Sequence, residues 1–335
     1  MKVALITTTI NVPRVLSLYR AHDPDVMFFV AGDQKTPQEA YEFCDALPNC
    51  WAYGCAQQKH MEYKSSELIG WNTDSRRNIA LLEALKWGAD IIVSIDDDMI
   101  PMNSNWSFFW GWYGLLGNPY HGLQLGFAKQ WFNVGACATP VTNQRGLPYD
   151  TLFYTDVTFI TDAQIGVAQG IILGVPDCDA ANAITNKPMI INTSDVLRAG
   201  FVVDPAARAV FNSQITAFRR ELAPAFAQLY SAQGRNTDIF ASLLMRRIMR
   251  ERNLYTYFGP PAAFHARQSR PLLPDLRNEM IGNERIAEFA EYLDRAPIPG
   301  ESVVTDVGIL VAGFDQKLFP PAFWEAWLND CVDVL

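Results

Sequence analysis

The sequence is poor in the residues that build zinc and disulfide motifs. Its 335 residues include four histidines and six cysteines, and no two cysteines form a CxxC pair. Structural zinc sites normally use closely spaced Cys and His ligands, so their usual pattern is missing. Isolated cysteines without a framework spacing are typical of free thiols in a reducing compartment. We therefore expect a cytoplasmic protein without disulfides.

Four common catalytic or nucleotide-binding motifs are also missing. The sequence contains no GxGxxG after its first predicted strand, no GxxxxGK[ST], no HExxH and no GxSxG. These patterns are typical of dinucleotide-binding folds, P-loop enzymes, zinc proteases and α/β-hydrolases. The sequence thus gives no support to any of these classes.

Positive charge and long apolar segments are scarce. The net charge is −9, which argues against a generally basic nucleic-acid-binding surface. No charged residue occurs between Met99 and Ala128, but this stretch holds asparagines, a proline and glycines, so it is a poor membrane span. The first residues, MKVALITTTINVP, lack a signal-peptide pattern. We expect no membrane span, and the sequence does not indicate an oligomeric state.

The residues that are present predict an α/β fold. KVALITTT, DVMFFVAGD and DIIVSID read as buried strands, and DSRRNIALLEALKWGA reads as an amphipathic helix. Such alternation is typical of a doubly wound sheet, in which ligands bind beyond the carboxyl ends of the strands. Further along, VTFITDAQIGVAQGIILGVPDCDA reads as short apolar runs between turns, TDIFASLLMRRIMRERN as a helix, LYTYFG as a strand and PPAAFHARQSR as a loop. We predict a catalytic domain over residues 1–274 and a helical extension over residues 275–335.

Three aspartates follow the strand IIVSI. Because side chains alternate along a strand, Asp96 and Asp98 should share one side. Clustered carboxylates repel one another, and a divalent cation relieves the repulsion. Mg²⁺ or Mn²⁺ is usually held by one or two carboxylates, with waters and phosphates completing its coordination. The alternative is a solvated acidic turn.

Basic residues lie on both sides of this turn in the sequence. Lys64 and Arg76 precede it and could face a metal-bound diphosphate. His265 could be a further metal ligand, and the neighbouring Arg267 could bind a phosphate. Surface residues without a ligand would explain the same pattern.

Two other features allow both a structural and a functional interpretation. Asp238 opens a helix, where it could cap the first turn or could orient an acceptor. The aromatics between Trp106 and Tyr113 could stack on a sugar or a base, or could belong to the core.

Three ordered stretches resemble a known family. IDDDMIP after DSRRNIALLEALKWGADIIVS is similar to the metal-binding DxD turn of the GT-A nucleotide-sugar enzymes, whose fold has a single Rossmann-like catalytic domain with a mixed central sheet. VAQGIILGVPDCDA, and the later stretch from NSQITAFRRELAPAF to YTYFGPPAAFHARQSR, resemble the reversibly glycosylated polypeptides, which include the plant UDP-arabinopyranose mutases. The resemblance spans roughly residues 1–270.

The resemblance implies a role for each matching residue. Asp96, Asp98 and His265 would bind the metal, with Asp97 in support. The remaining positions would surround a UDP-sugar: its uridine end at Thr7, Thr8, Thr9 and Asp33, its phosphates at Lys64 and Arg76, and its sugar and acceptor at Asp177, Asp179 and Asp238. Asp238 and Asp179 are the predicted catalytic carboxylates.

The implied activity is metal-dependent transfer of a sugar from UDP-arabinose, UDP-glucose or a similar donor to a hydroxyl acceptor. The acceptor could be a glycan, a small molecule or a hydroxylated DNA base. The family carries an arginine ahead of its small-residue turn, whereas here Ile160 stands near that position and no arginine occurs between Gly146 and Leu197. A UDP-sugar pyranose/furanose mutase is therefore the second hypothesis, and a non-catalytic nucleotide-sugar-binding protein is the third.

Overall fold

A mixed β-sheet is the centre of the fold. The computed structural model describes residues 1–102, 114–126, 128–149, 157–265 and 271–335, and strands and helices are numbered over these residues. The strands are β1 (Val3–Thr9), β2 (Met27–Gly32), β3 (Cys50–Tyr53), β4 (Ile91–Ile95), β5 (Met99–Pro101), β6 (Tyr120–Leu125), β7 (Trp131–Phe132), β8 (Ala138–Thr139), β9 (Val157–Gly174), β10 (Asn192–Thr193), β11 (Phe201–Val203), β12 (Arg208–Ala209), β13 (Ile215–Arg219) and β14 (Leu254–His265).

Helices cover the sheet and connect its strands. They are α1 (Val15–Arg20), α2 (Gln38–Asp45), α3 (Cys55–His60), α4 (Lys64–Ile69), α5 (Arg77–Trp87), α6 (Ala180–Asn186), α7 (Asp195–Ala199), α8 (Tyr230–Gln233), α9 (Thr237–Glu251), α10 (Leu272–Asn283), α11 (Ile286–Arg295), α12 (Val303–Ala312) and α13 (Pro321–Val334). No helix within the described ranges has both the length and the apolar content needed to cross a membrane.

The strand directions explain where polar residues meet. The sheet order is β3-β2-β1-β4-β13-β9-β6-β11-β14-β5, with an additional pairing of β9 and β14. Strands β3, β2, β1 and β4 are parallel, β13 runs against β4 and β9, and β14 is parallel to β9. The ends of β1, β2, β4, β9 and β14 therefore lie at one edge, together with the start of β13. The predicted α/β fold with a mixed central sheet is confirmed.

Two segments form longer strands than the sequence suggested. The predicted run of short apolar pieces is one continuous strand, β9, and the predicted loop after LYTYFG continues as strand β14 up to His265. Both strands are interior in the sheet, and their backbone groups bond to neighbours on both sides. Strand β14 continues past its prolines, which have no backbone N–H to donate, through register shifts on both sides of Pro261.

Helix α5 positions the acidic turn at the end of β4. A 3₁₀ turn over Asp74–Arg76 precedes the helix, and Thr73, rather than Asp74 or Ser75, caps that turn by accepting from the Ser75 backbone N–H. The helix ends at Gly88, whose φ of 87° is the left-handed conformation that favours glycine. Most of its residues are buried, because it lies between the sheet and the C-terminal helices.

The C-terminal helices pack into the main hydrophobic core. Phe289 and Trp327 belong to the same buried cluster as Phe240 of α9, and the Trp327 indole N–H donates to the Pro224 carbonyl at 2.9 Å. The Asp330 carboxylate accepts from the first two backbone N–H groups of α4, at 3.0 and 2.8 Å. The segment after residue 275 is helical as expected, while the predicted domain division stays a prediction. The six cysteines are free.

Candidate functional site

The acidic turn lies at the polar edge of the sheet. The Asp96 backbone N–H donates to the Gln214 carbonyl at 3.1 Å, which fixes the turn to the start of β13. The Asp96 carboxylate forms an ion pair with Arg77 and also accepts from the Gln214 amide at 3.0 Å. Asp96 is therefore already neutralised by protein groups.

Asp97 points toward strand β1. Its carboxylate accepts a short hydrogen bond from the Thr9 hydroxyl. Burial raises the pKa of Asp97, the Thr9 bond lowers it, and the charges of Asp96 and Asp98 raise it again, so the net direction is upward. The repulsion that the sequence predicts among these aspartates is thus present in the fold.

Asp98 meets His265 across the sheet edge. The His265 Nε2 lies 3.0 Å from an Asp98 oxygen, and its Nδ1 lies 3.0 Å from the Val175 carbonyl oxygen. A carbonyl can only accept, so Nδ1 carries the proton, and Nε2 of a neutral imidazole then turns its lone pair toward the carboxylate. Two electron-pair donors at this distance need a proton or a cation between them. The His265 side chain is 1% exposed, whereas the Asp98 side chain is 56% exposed. The pair is therefore open to solvent on its Asp98 side.

The turn between β9 and Pro176 brings the chain close to His265. Gly174 has a φ of +84°, and a Cβ at this position would lie 2.5 Å from the His265 carbonyl oxygen. Only glycine combines that conformation with that approach. Gly174 therefore allows β9 and β14 to end side by side.

The three predicted metal ligands are not gathered around one point. Within the described ranges, no three His, Cys, Asp or Glu side chains are spaced to hold a metal ion. Asp98 and His265 are together, whereas Asp96 is held by Arg77. The donor set of one carboxylate and one imidazole with an inward lone pair fits Mn²⁺ or Mg²⁺ if waters and phosphate oxygens supply the other ligands.

A cavity of about 250 Å³ opens beside the acidic turn. The lining residues are Thr8, Asp74, Arg77, Asp96, Asp97, Asp98, Arg145, Asp177, Ser213, Gln214, Tyr230, Arg235 and Asp238. A second recess of about 200 Å³ shares Thr8, Asp74 and Asp97 with it and is otherwise lined by Thr9, Ile10, Asp33, Asn72 and Thr73. The two together form one elongated site along the sheet edge.

Arg145 holds two aspartates in this cavity. Its guanidinium forms bidentate contacts with Asp238, at 2.8 and 2.9 Å, and contacts Asp177 at 2.7 to 3.2 Å. All three side chains are buried. Burial by itself would lower the pKa of Arg145, but the two carboxylates raise it well above the ordinary value. Asp238 lines the cavity and also accepts from the backbone N–H groups of Ser213 and Ile239. Its expected role toward a sugar or acceptor stays a prediction.

The residues predicted for the uridine end divide between the recess and the core. Thr8, Thr9 and Asp33 line the recess. Asp33 accepts from the Thr73 backbone N–H at 3.1 Å, which holds the 72–74 segment against β2. Thr7 is fully buried within β1 and is not among the lining residues, because it lies farther than Thr8 and Thr9 from the carboxyl end of the strand.

Arg76 does not reach the cavity. It is 1% exposed, donates to the Gly70 and Ser66 carbonyls at 2.7 Å, and stacks on Trp71 at 3.7 Å from the ring centroid. Burial lowers its pKa, against the opposing effect of Asp33. Its guanidinium is held by these protein groups, and Arg77 lies beside the acidic turn instead. The phosphate contact expected for Arg76 stays a prediction.

Two other predicted residues lie outside the cavity lining. Lys64 lines a separate hollow of about 510 Å³ between α3 and α4. Asp179 caps helix α6 by accepting from the Asn182 backbone N–H at 2.9 Å, and burial raises its pKa. Capping is the ordinary role of such a carboxylate, and the catalytic role expected for Asp179 stays a prediction. Arg267, Arg270 and the aromatics from Trp106 to Tyr113 lie outside the described residues.

Several lining residues have no signal in the sequence analysis. Arg145 lies in an irregular segment, and Tyr230 opens the four-residue helix α8. Arg235 reaches the cavity from a 3₁₀ turn, and its guanidinium contacts Glu279 and Asp275 of α10. The aspartates were indicated by their position directly after a predicted strand, and none of these three residues has such a position. An isolated arginine beside a glycine, as in QRG, was the one available clue for Arg145.

Fold and site together define an α/β protein with an acidic cavity at the carboxyl edge of a mixed sheet. No protein-family model matches the chain, and no curated protein is significantly similar to it. One matching solved structure is glucosyl-3-phosphoglycerate synthase from Mycobacterium tuberculosis in complex with Mn²⁺ and UDP-glucose. It is 14% identical, the match covers 87% of this chain and 77% of that chain, and the TM-score is 0.41. An overlap this loose assigns no activity to this chain.

Proposed function

We propose that the protein is a metal-dependent glycosyltransferase that uses a UDP-sugar. The observation that carries this proposal is the Asp98–His265 pair beside the elongated cavity. The pair directs a carboxylate and an imidazole lone pair toward one another, as a shared cation would require. The resemblance of IDDDMIP to the DxD turn supports the same role for this turn.

The charge of the cavity supports a role for a cation. Six aspartates and three arginines line the cavity described here, so a diphosphate alone would enter a negative environment. A divalent cation at Asp98 and His265 would offset most of that negative charge and would stabilise the charge that develops on the departing diphosphate. Arg77, which is buried beside the turn, would keep Asp96 in place while the site is loaded.

The recess and the cavity suggest where the two ends of the donor lie. The uridine would occupy the recess beside Thr8, Thr9 and Asp33, and the sugar would extend into the cavity toward Asp238. Both Asp238 oxygens accept hydrogen bonds from Arg145, which hold the carboxylate in one fixed orientation. We therefore assign Asp238 to orienting a hydroxyl group rather than to deprotonating it.

Substitution of the metal pair tests the proposal. Asp98→Asn and His265→Ala should each lower Mn²⁺-dependent cleavage of UDP-glucose or UDP-arabinose by about 100-fold or more, because each removes a metal ligand. The assay measures UDP release against Mn²⁺ concentration, with glycans, small polyols and DNA containing hydroxymethylated bases as acceptors. Asp162→Asn is the matched control, since Asp162 pairs with His121 on the surface. Full activity of Asp98→Asn would contradict the assignment.

A UDP-sugar mutase is the second candidate, and Arg145 favours it. The sequence argument against a mutase was the missing arginine between Gly146 and Leu197, yet Arg145 lies one residue before this range and lines the cavity. Incubation of UDP-arabinopyranose without an acceptor separates the candidates. Conversion to the furanose form supports the mutase, whereas UDP binding without turnover of any donor supports a non-catalytic binding protein.

A further inference from the structure

A narrow notch adjoins the cavity at Asp177, which lines both. Its volume is about 40 Å³, and its polar lining includes Gln144, Gln169 and Asn212. A water molecule needs about 10–15 Å³ of such volume. The notch therefore admits two or three hydroxyl-sized groups, and a sugar ring would have to remain in the larger cavity.

A relay of hydrogen bonds fixes the orientation of Gln169. The Asp177 carboxylate can only accept, so the Asn212 amide nitrogen faces it, at 3.2 Å. The Asn212 carbonyl oxygen then accepts from the Gln169 amide nitrogen at 2.7 Å. This leaves the Gln169 carbonyl oxygen, which is buried and has no hydrogen-bond partner among the described residues. Gln169 is 2% exposed.

Gln144 has the same arrangement on the other wall. Its amide nitrogen donates to the Val210 carbonyl at 3.0 Å, which fixes the orientation because a carbonyl cannot donate. Its own carbonyl oxygen is buried and has no partner within the described part of the chain. Gln214, which lines the main cavity, donates from its amide nitrogen to Asp96. Its carbonyl oxygen is also buried without a partner among the described residues.

The chemistry of these atoms selects a ligand that donates hydrogen bonds. Buried acceptors without a partner are costly, so a bound group that donates to them is favoured. Ile171, Ile172 and Pro176 complete the notch, and such apolar walls favour a neutral group over a cation. Neutral donors of this size are hydroxyl groups.

We infer that the notch is a polyol subsite in which hydroxyl groups of a sugar donate to the carbonyl oxygens of Gln169 and Gln144. The inference rests on the proposed function and adds the residues that would distinguish one sugar from another. The sugar could belong to the UDP-sugar donor or to a glycan acceptor, and both sources share this chemistry.

Three titrations on Gln169→Leu and Gln144→Leu distinguish the sources. They are UDP with Mn²⁺, UDP-glucose with Mn²⁺, and free glucose added to protein saturated with UDP and Mn²⁺. If the donor sugar fills the notch, each variant weakens UDP-glucose binding by about threefold to tenfold and leaves UDP binding unchanged. If an acceptor sugar fills it, only the glucose titration weakens.

Gln233→Leu is the matched control. Gln233 is also buried with an unpaired carbonyl oxygen among the described residues, but it does not line the notch. Unchanged sugar affinities in folded Gln169→Leu and Gln144→Leu would show that water alone fills the notch and would overturn the inference. If Gln169→Leu does not fold, Gln144→Leu decides the matter alone. Failure of the native protein to bind UDP would instead contradict the proposed function and would remove the basis for the notch.

Discussion

At the scale of single residues, adjacent side chains of the same type have different roles. Arg76 and Arg77 precede the same strand, yet Arg76 fills a structural pocket beside Ser66 and Arg77 neutralises Asp96. Successive residues of a helix point about 100° apart, so one of two neighbours faces the sheet edge and the other turns away. Sequence alone places both arginines near the site without deciding between them.

Arg145 should contribute more to stability than any surface arginine. Arg145→Met would leave Asp177 and Asp238 buried without their counter-ion, and we expect a loss of about 3–5 kcal/mol in the free energy of unfolding. Urea denaturation measures this loss. Arg198→Met is the control, because its exposed pair with Asp195 should contribute less than about 1 kcal/mol. Equal losses in the two variants would show that the buried pairs are not formed.

The predictable part of the site is the part that follows regular strands. Asp97, Asp98 and Asp33 could be located because parallel strands end at one edge. Arg145 could not, since it reaches Asp177 and Asp238 from an irregular segment that no hydrophobic period describes. Helix caps obey local rules as well, but the two roles that the sequence allows for Asp238 could not be separated, because its partner Arg145 is distant in sequence.

At the scale of elements, strands β9 and β14 position His265. Their parallel pairing runs to Gly174 and His265 themselves, so any change at Gly174 is transmitted to the histidine. The sequence predicted a loop here, because prolines normally interrupt strands. The strand persists in spite of Pro261, with a register shift at that point.

Gly174→Ala should displace His265. The new Cβ would lie 2.5 Å from the His265 carbonyl oxygen, in addition to the strain of a φ of +84°. We expect a stability loss above about 2 kcal/mol and at least a tenfold weaker Mn²⁺ affinity by titration calorimetry. Gly300→Ala isolates the strain, since its φ is +74° and nothing lies within 4 Å of its Cβ. If Gly300→Ala matched Gly174→Ala in both measurements, the close approach to the His265 carbonyl would not explain the effects of Gly174→Ala.

At the scale of the whole molecule, buried ion pairs join the C-terminal helix α11 to helix α9 and strand β12. Asp294 of α11 contacts Arg246 of α9 at 2.8 Å, Arg208 at 2.9 Å and Arg250 at 3.4 Å, and its side chain is 4% exposed. One carboxylate thus forms ion pairs with three guanidinium groups. A helical extension was predicted here without any ion pairs to the rest of the chain, because the partners of Asp294 are more than 40 residues away in sequence.

The pairing of Asp294 should make stability depend on pH. Burial alone would raise the pKa of Asp294, but Arg246 and Arg208 outweigh it and hold the pKa below the ordinary value. Burial also lowers the pKa of Arg246, yet an arginine stays charged throughout the accessible range, so Asp294 is the group that titrates. A carboxyl whose folded pKa is depressed stabilises the fold above its unfolded pKa of about 3.9 and loses that contribution as pH falls through the folded value.

Asp294→Asn should therefore cost about 3–5 kcal/mol at pH 7. Urea denaturation from pH 7 to pH 3 should show the gap between native protein and variant narrowing below about pH 4, and a gap that stays constant would mean that the three arginines do not depress the pKa of Asp294.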